Sequence, residues 1–132
     1  MNKTILITGG TGTFGAAFSH RVLTSDQSRK LIILSRDWQK QEALRASLEN
    51  HAAVRWFIGD VRDPERLNRA SVEADVIFHV AAMKHVPLCE FNAFEAIESN
   101  VIGAQNVINA AITNKVKQVI AISTDKAVNP MN

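Results

Sequence analysis

Five short runs of mostly apolar, β-prone residues recur along the chain, with helical stretches between them. The runs are Lys3 to Thr8 (KTILIT), Lys30 to Ser35 (KLIILS), Val54 to Ile58 (VRWFI), Asp75 to Val80 (DVIFHV) and Gln118 to Ser123 (QVIAIS). Strands that are apolar on both faces, each followed by a helix, belong to a parallel sheet covered on both sides. The intervening segments fit that role. Phe14, Ala17, Phe18, Arg21 and Val22 fall at helical spacing, and Leu44 and Leu48 lie one turn apart in a helix read from Trp38 to Glu49. Asp63-Pro64 is a helix start, because aspartate caps free N–H groups and proline fits the first turn. Phe94, Ile97, Val101, Ala104, Ile108 and Ala111 mark one face of a long helix. The expectation is an α/β fold: a doubly wound parallel sheet of five strands in the order 3-2-1-4-5, with four complete helices. The chain stops after strand five, where a further helix should follow.

The 132 residues make one domain or a piece of one, and 46% apolar against 21% charged is an ordinary globular balance. Basic and acidic residues number 15 and 13 and are scattered, so no basic tract argues for nucleic acid or an anionic membrane surface. No apolar run approaches the ~18 residues of a membrane span. The opening MNKTILITGG is too short in its apolar part for a signal peptide. The single cysteine, Cys89, has no internal partner, which fits a reducing cytoplasm. His20, His51, His79 and His85 lack metal-ligand spacing; His79 reads as a core residue, Cys89 as an inert thiol, and Trp38 and Trp56 as packing.

The chemistry begins directly after the first strand, at TGGTGTFG (8–15), where Gly10, Gly12 and Gly15 satisfy G-x-G-x-x-G. A strand before the motif and a helix after it are the context of a Rossmann-like phosphate cradle. A side chain at Gly12 would keep a pyrophosphate from the helix N-terminus, whose free N–H groups and positive dipole end bind anions. Gly15 lets the helix pack closely on the strand.

The end of the second strand selects the cofactor. An NAD site carries an acidic residue there for the ribose 2′-hydroxyl, whereas this chain has Ser35-Arg36-Asp37. Arg36 can pair a 2′-phosphate and Lys40 lies behind it, which favours NADP. Asp37 keeps NAD open, and Arg36 could equally be a solvated charge at a helix start. After strand three, Asp60 can accept from an adenine amino group while the Val61 N–H serves a ring nitrogen, or Asp60 can simply stabilise a turn.

The chain resembles the extended short-chain dehydrogenase/reductases, and within them the soluble UDP-N-acetylglucosamine 4,6-dehydratases of polysaccharide and glycan-sugar biosynthesis. The matching stretches are TGGTGTFG (8–15), SRD (35–37), FIGDVRD (57–63), AAMKHVPLCEFNAFEAIESNVIGAQNVINAA (81–111) and STDKAVNPMN (123–132). The resemblance implies that Gly9, Gly12, Thr13, Phe14 and Gly15 hold the pyrophosphate. Arg36, Asp37 and Lys40 would hold the 2′-phosphate end, and Asp60 and Val61 the adenine. Val80 and Lys84 would line the nicotinamide side, with Lys84 also reaching the substrate. Thr124, Asp125 and Lys126 would stand beside the sugar. In the family's chemistry a hydride leaves C4 of the sugar, the resulting ketone acidifies C5, water is lost across C5 and C6, and the hydride returns to C6. Lys126 would be the base and Asp125 the acid; read without the resemblance, this adjacent pair is an exposed ion pair on a loop.

Two departures stand out. Ala93 replaces the family's usual proline, a change expected to touch a loop. The Tyr-x-x-x-Lys motif that drives the oxidation is absent, and the chain has no tyrosine at all. Residues 1–132 therefore read as an incomplete NADP-binding domain without a substrate domain, unable to turn over UDP-GlcNAc alone. A stand-alone NADP(H)-binding or interaction module is the alternative. The unpartnered helix face and the edge left at strand five imply a homodimer or higher homo-oligomer.

Overall fold

A computed structural model of the chain describes residues 3–25 and 28–123. The elements run β1 (Lys3–Thr8), α1 (Thr13–Thr24), β2 (Ser28–Ser35), α2 (Trp38–Ser47), β3 (Val54–Ile58), α3 (Pro64–Ser71), β4 (Val76–His79), α4 (Val86–Phe91), α5 (Ala93–Ile97), a π-helical turn (Glu98–Ile102), α6 (Gly103–Thr113) and β5 (Gln118–Ala121). The strands pair in parallel in the order β3-β2-β1-β4-β5, as the apolar runs imply.

Alternation along the strands divides the core into two layers. Leu6, Ile32, Leu34 and Ile77 face α3 and α6, where Leu67, Ala70, Val107, Ala110 and Ala111 close over them. Ile5, Ile7, Leu31 and Ile33 face the opposite way, toward Val22 of α1 and Leu44 of α2. Covering both faces forces each crossover to be a helix, and that puts the loops after β1, β2, β3 and β4 together at one end of the sheet. At the other end Asp75 ties strands together: its carboxylate accepts from Thr4 N–H at 3.0 Å and from Lys117 Nζ at 2.8 Å.

Four details differ from the sequence reading. Of the helical-spacing set in α1, Val22 is buried and Phe18 packs against the core, but Phe14, Ala17 and Arg21 are exposed and Gly15 and Ser19 complete the buried side. Close contact of Gly15 with the glycine loop sets that face, and Ser19 is accommodated because its hydroxyl donates to the Gly15 carbonyl at 2.7 Å. The long helix is broken: α4 precedes it, a π turn interrupts it, and its core side is Gly103, Val107, Ala110 and Ala111. Phe94, Ile97, Val101 and Ile108 lie on the solvent side, Phe94 being 83% exposed, while Ala111 belongs to the core. Ala93 is the first residue of α5, a position that suits proline as well as alanine, so the substitution falls in a helix start. Trp38 is 59% exposed at the start of α2 and does not pack.

Leu67 is fully buried between α3 and the sheet. Leu67→Ala is expected to destabilise the fold by about 2–5 kcal/mol in equilibrium urea unfolding, the usual range for such a truncation; a loss below about 1 kcal/mol would show that this layer is not packed as described.

Candidate functional site

The clustered loops enclose a cleft of about 740 Å³ at the point where the strand order reverses, between β1 and β4. Such crevices in open parallel sheets are where ligands bind, and the volume is in the range of small-molecule sites. The cofactor-side candidates all line it except Gly15, which is buried behind the loop.

The glycine loop forms the floor. Gly9 holds φ +67°, and a Cβ there would meet the Ala81 backbone at 2.9 Å. A Cβ on Gly15 would come within 2.4 Å of the Gly10 carbonyl oxygen, so only glycine lets α1 start this close to β1. At Gly12, by contrast, an added Cβ meets only the Gly9 carbonyl at 3.3 Å and otherwise projects into open space. The helix starts differ in a telling way. Asp37 and Asp63 cap α2 and α3, accepting from Lys40 N–H at 3.0 Å and Arg66 N–H at 2.9 Å. No side chain caps α1, nor the short α4 and α5, and at α1 the N–H groups of Thr13, Phe14 and Gly15 meet no acceptor among the described residues. An anion is what this unsatisfied turn fits.

One rim is charged. Arg36 is 63% exposed, with its guanidinium 3.5 Å from the Asp60 carboxylate. Lys40 Nζ stands 3.7 Å from Asp37, whose carboxylate is engaged as a helix cap. Asp60 stabilises its own turn by accepting from Arg62 N–H at 2.9 Å, and it also accepts from Arg62 Nε and Nη2 at 3.0 and 2.9 Å. Burial works to raise the Asp60 carboxyl, but the hydrogen bonds and charge of Arg62, with Arg36 behind them, outweigh it and hold the group below its ordinary range. Both readings of Asp60 are therefore physically compatible: a carboxylate has about four lone-pair sites, and Oδ1 uses one of its own. The side chain of Val61 is in the core, and its N–H meets no acceptor among the described residues.

Val80, Ala81, Met83 and Lys84 form the opposite wall. Asn100 holds it in place, its side-chain amide accepting from Met83 N–H at 2.8 Å and donating to the Met83 carbonyl at 3.1 Å. The π turn that carries Asn100 also carries Ser99, only 6% exposed, lining the cleft with no hydroxyl partner among the described residues. Gly103 follows, where a Cβ would collide with Val61 at 2.7 Å. Ser99 and Asn100 escape a sequence reading because helical periodicity assigns no polar residue of the 94–111 stretch to a buried site; a serine and asparagine inside an apolar repeat were the available signal. Gln41 was missed likewise: it is buried, donating to the Ser35 and Phe57 carbonyls at 3.2 and 2.8 Å and bracing the ends of β2 and β3. Thr124, Asp125 and Lys126 lie outside the described residues.

Beneath the cleft the Thr8 hydroxyl and His79 Nδ1 are 2.8 Å apart and buried. Thr8 Oγ1 lies 3.3 and 3.4 Å from the N–H groups of Val80 and Ala81, so it accepts there and gives its own proton to the imidazole. Burial pushes the His79 imidazole below its ordinary range, as expected of a packed core histidine.

The profile of the family described as "Polysaccharide biosynthesis protein" matches residues 5–132. The chain is 53% identical over 98% of its length to a UDP-N-acetylglucosamine 4,6-dehydratase (inverting) of Campylobacter jejuni, covering 39% of that protein. It is 50% identical over its whole length to a UDP-glucose 4-epimerase of Rickettsia typhi, again covering 39% of it. The chain thus spans about two fifths of the length of these curated relatives. Among solved structures it resembles Pen from Bacillus thuringiensis, with TM-score 0.94 and 42% identity, covering 99% of this chain and 42% of that one. It also resembles DesIV, a dTDP-glucose 4,6-dehydratase of Streptomyces venezuelae solved with NAD and TYD bound, with TM-score 0.80 and 29% identity over 88% of this chain and 38% of that one.

Because the unfolded-state histidine (about 6.5) takes up a proton before the buried one does, His79 favours the folded state above that pH and costs stability as pH falls toward its lowered folded value. Urea stability should therefore drop from pH 7 to pH 5, and His79→Gln should flatten part of that slope. An unchanged slope in the variant would contradict a neutral, buried His79.

Proposed function

The chain belongs to the polysaccharide biosynthesis protein family, and from that premise we propose that it is the N-terminal, dinucleotide-binding portion of a nucleotide-sugar 4,6-dehydratase acting on a UDP-N-acetylglucosamine-type substrate. The observation that carries this reading is the uncapped start of α1 beneath an open glycine loop, facing a cleft with a cationic rim.

The residues fit a nicotinamide dinucleotide. The N–H groups of Thr13, Phe14 and Gly15 would take the pyrophosphate, and the side-chain-free face of Gly12 leaves room for it. Arg36 and Lys40 would take a ribose 2′-phosphate. Asp37 caps α2 through one oxygen and keeps the other toward Lys40 Nζ, so it is the pair of cations, Arg36 and Lys40, that supports NADP over NAD. Asp60 and the Val61 N–H would meet the adenine edge. Val80 and Lys84 would flank the nicotinamide, and the buried Ser99 hydroxyl offers one further donor on that wall. When bound, the nicotinamide supplies hydride acceptance and return. On the protein side, Lys126 would remove the C5 proton, Asp125 would protonate the departing C6 oxygen, and Thr124 would orient the sugar. Lowering the lysine pKa and raising that of the aspartate by desolvation would suit both to the work.

A 4-epimerase is the second reading, favoured by the 50% identity to the Rickettsia protein. It needs the same cofactor half but no elimination at C5 and C6, so the Asp125-Lys126 pair separates the two. Self-association is also proposed: Phe91, Phe94, Val101 and Ile112 are exposed apolar side chains on the segment from α4 to α6, which a second copy would cover.

Titration with NADPH, read by tryptophan fluorescence, should show saturable binding tighter than that of NADH. Gly12→Val should abolish it at a cost of about 0.5–2 kcal/mol in urea stability, since the extended backbone accepts valine but valine is a much poorer N-cap than glycine. Binding that survives Gly12→Val would overturn the cradle. With UDP-GlcNAc and NADP, the 132-residue polypeptide should form no 4-keto-6-deoxy sugar by NMR, as it holds no tyrosine to take the C4 hydroxyl proton. Light scattering at ~100 μM, where weak interfaces are populated, should give at least a dimer mass; a monomer would remove the self-association proposal.

A further inference from the structure

Beside the charged rim stands one cation that the dinucleotide reading leaves without a task. Arg62 is committed on every side. Its N–H, Nε and Nη2 all bond to Asp60, at 2.9, 3.0 and 2.9 Å, while Nη1 reaches Glu95 at 2.5 Å and Glu98 at 3.4 Å. The guanidinium is thereby fixed between the loop after β3 and the helical segment that crosses beside it. Arg36 is the opposite case. Its Nη1 lies 3.5 Å from Asp60 Oδ2, beyond the 2.7–2.9 Å of a charge-assisted hydrogen bond, and its side chain is largely solvent-exposed. None of its five donors has a hydrogen-bond acceptor among the described residues.

We propose that Arg62 sets the preference for a 2′-phosphorylated nucleotide by occupying Asp60, which leaves the Arg36 guanidinium free for the phosphate. This rests on the reading of the cleft as a dinucleotide site. The physics is a competition for one carboxylate. With Arg62 in place, Asp60 is satisfied by three short bonds and attracts Arg36 only weakly. Without Arg62, Asp60 becomes an uncompensated carboxylate on the rim, and Arg36 is the cation already nearest to it. A shift of less than about 1 Å turns that loose pair into a charge-assisted one. The donors meant for the phosphate are then taken, and the bare carboxylate repels the incoming dianion as well. Arg62 is a positioning residue in this account: it touches neither the sugar nor the nicotinamide, and it acts through Asp60 on Arg36.

The test compares 2′,5′-ADP with 5′-AMP by calorimetry on the intact chain. Both carry the same adenine, so any loss at the adenine contact cancels in the ratio of their dissociation constants. Arg62→Gln should lower the preference for 2′,5′-ADP about fivefold, the size of one exposed ion pair. Adding Asp60→Asn should return the ratio to the wild-type value or above it, because Arg36 is released again. Arg62→Lys, which keeps the charge but loses the fork, should give an intermediate ratio and carries the test if the glutamine variant does not fold. Equal weakening of both nucleotides with an unchanged ratio, or a double variant no better than the single one, overturns the proposal. Wild-type chain that binds neither nucleotide overturns the dinucleotide site itself, and Arg36→Gln that leaves the wild-type ratio intact removes Arg36 from its assigned role.

Discussion

Gly15 and Gly10 touch backbone to backbone, at a distance where a single Cβ would stand 2.4 Å from a carbonyl oxygen. That approach places the first turn of α1 directly over the end of β1, and no side chain is left to satisfy the turn. Gly15 is buried while Thr13 and Phe14 are exposed, and none of their three N–H groups meets an acceptor among the described residues. The rest of the cleft is arranged around this deficit. Gly9 turns the loop through a left-handed conformation so that β4's continuation can pass close by. Thr8 and His79 lock the two central strands beneath it. An anionic ligand would complete the hydrogen bonding that the protein leaves open.

α1 differs in this from α2 and α3. α2 and α3 start at the same end of the sheet, and each is capped by its own aspartate. One N–H of each first turn is thereby satisfied, so both aspartates serve structure. Asp37 belongs to that structural set although it stands at the position where an acidic residue would read as a ribose ligand. The cap engages one oxygen of the Asp37 carboxylate, and the residue also lines the cleft.

Most of the architecture was legible from the apolar runs, because a residue buried on either face of a parallel sheet leaves no alternation to misread. The glycine cradle was legible because its requirement is steric and local. Other parts were not. The outward face of the 94–111 stretch and its inward face are both apolar, so periodicity found a real stripe that turned out to face solvent. The π turn shifts the register at Glu98–Ile102, and it is this shift that brings Ser99 to the cleft and Asn100 to the Met83 backbone. Trp38 was expected to pack by composition alone, yet the first turn of α2 leaves it on the surface. Asp60 could be read either as a ligand or as a turn residue, and its bonds to Arg62 show that it does at least the second.

The most direct test of the account is to follow the backbone amides of the intact chain by NMR while ADP is added. The account predicts that the largest saturable shifts fall on Thr13, Phe14 and Gly15, with the capped starts of α2 and α3 far less affected. Saturable binding that leaves those three amides unmoved would contradict it, because the pyrophosphate would then be held by something other than the uncapped turn of α1.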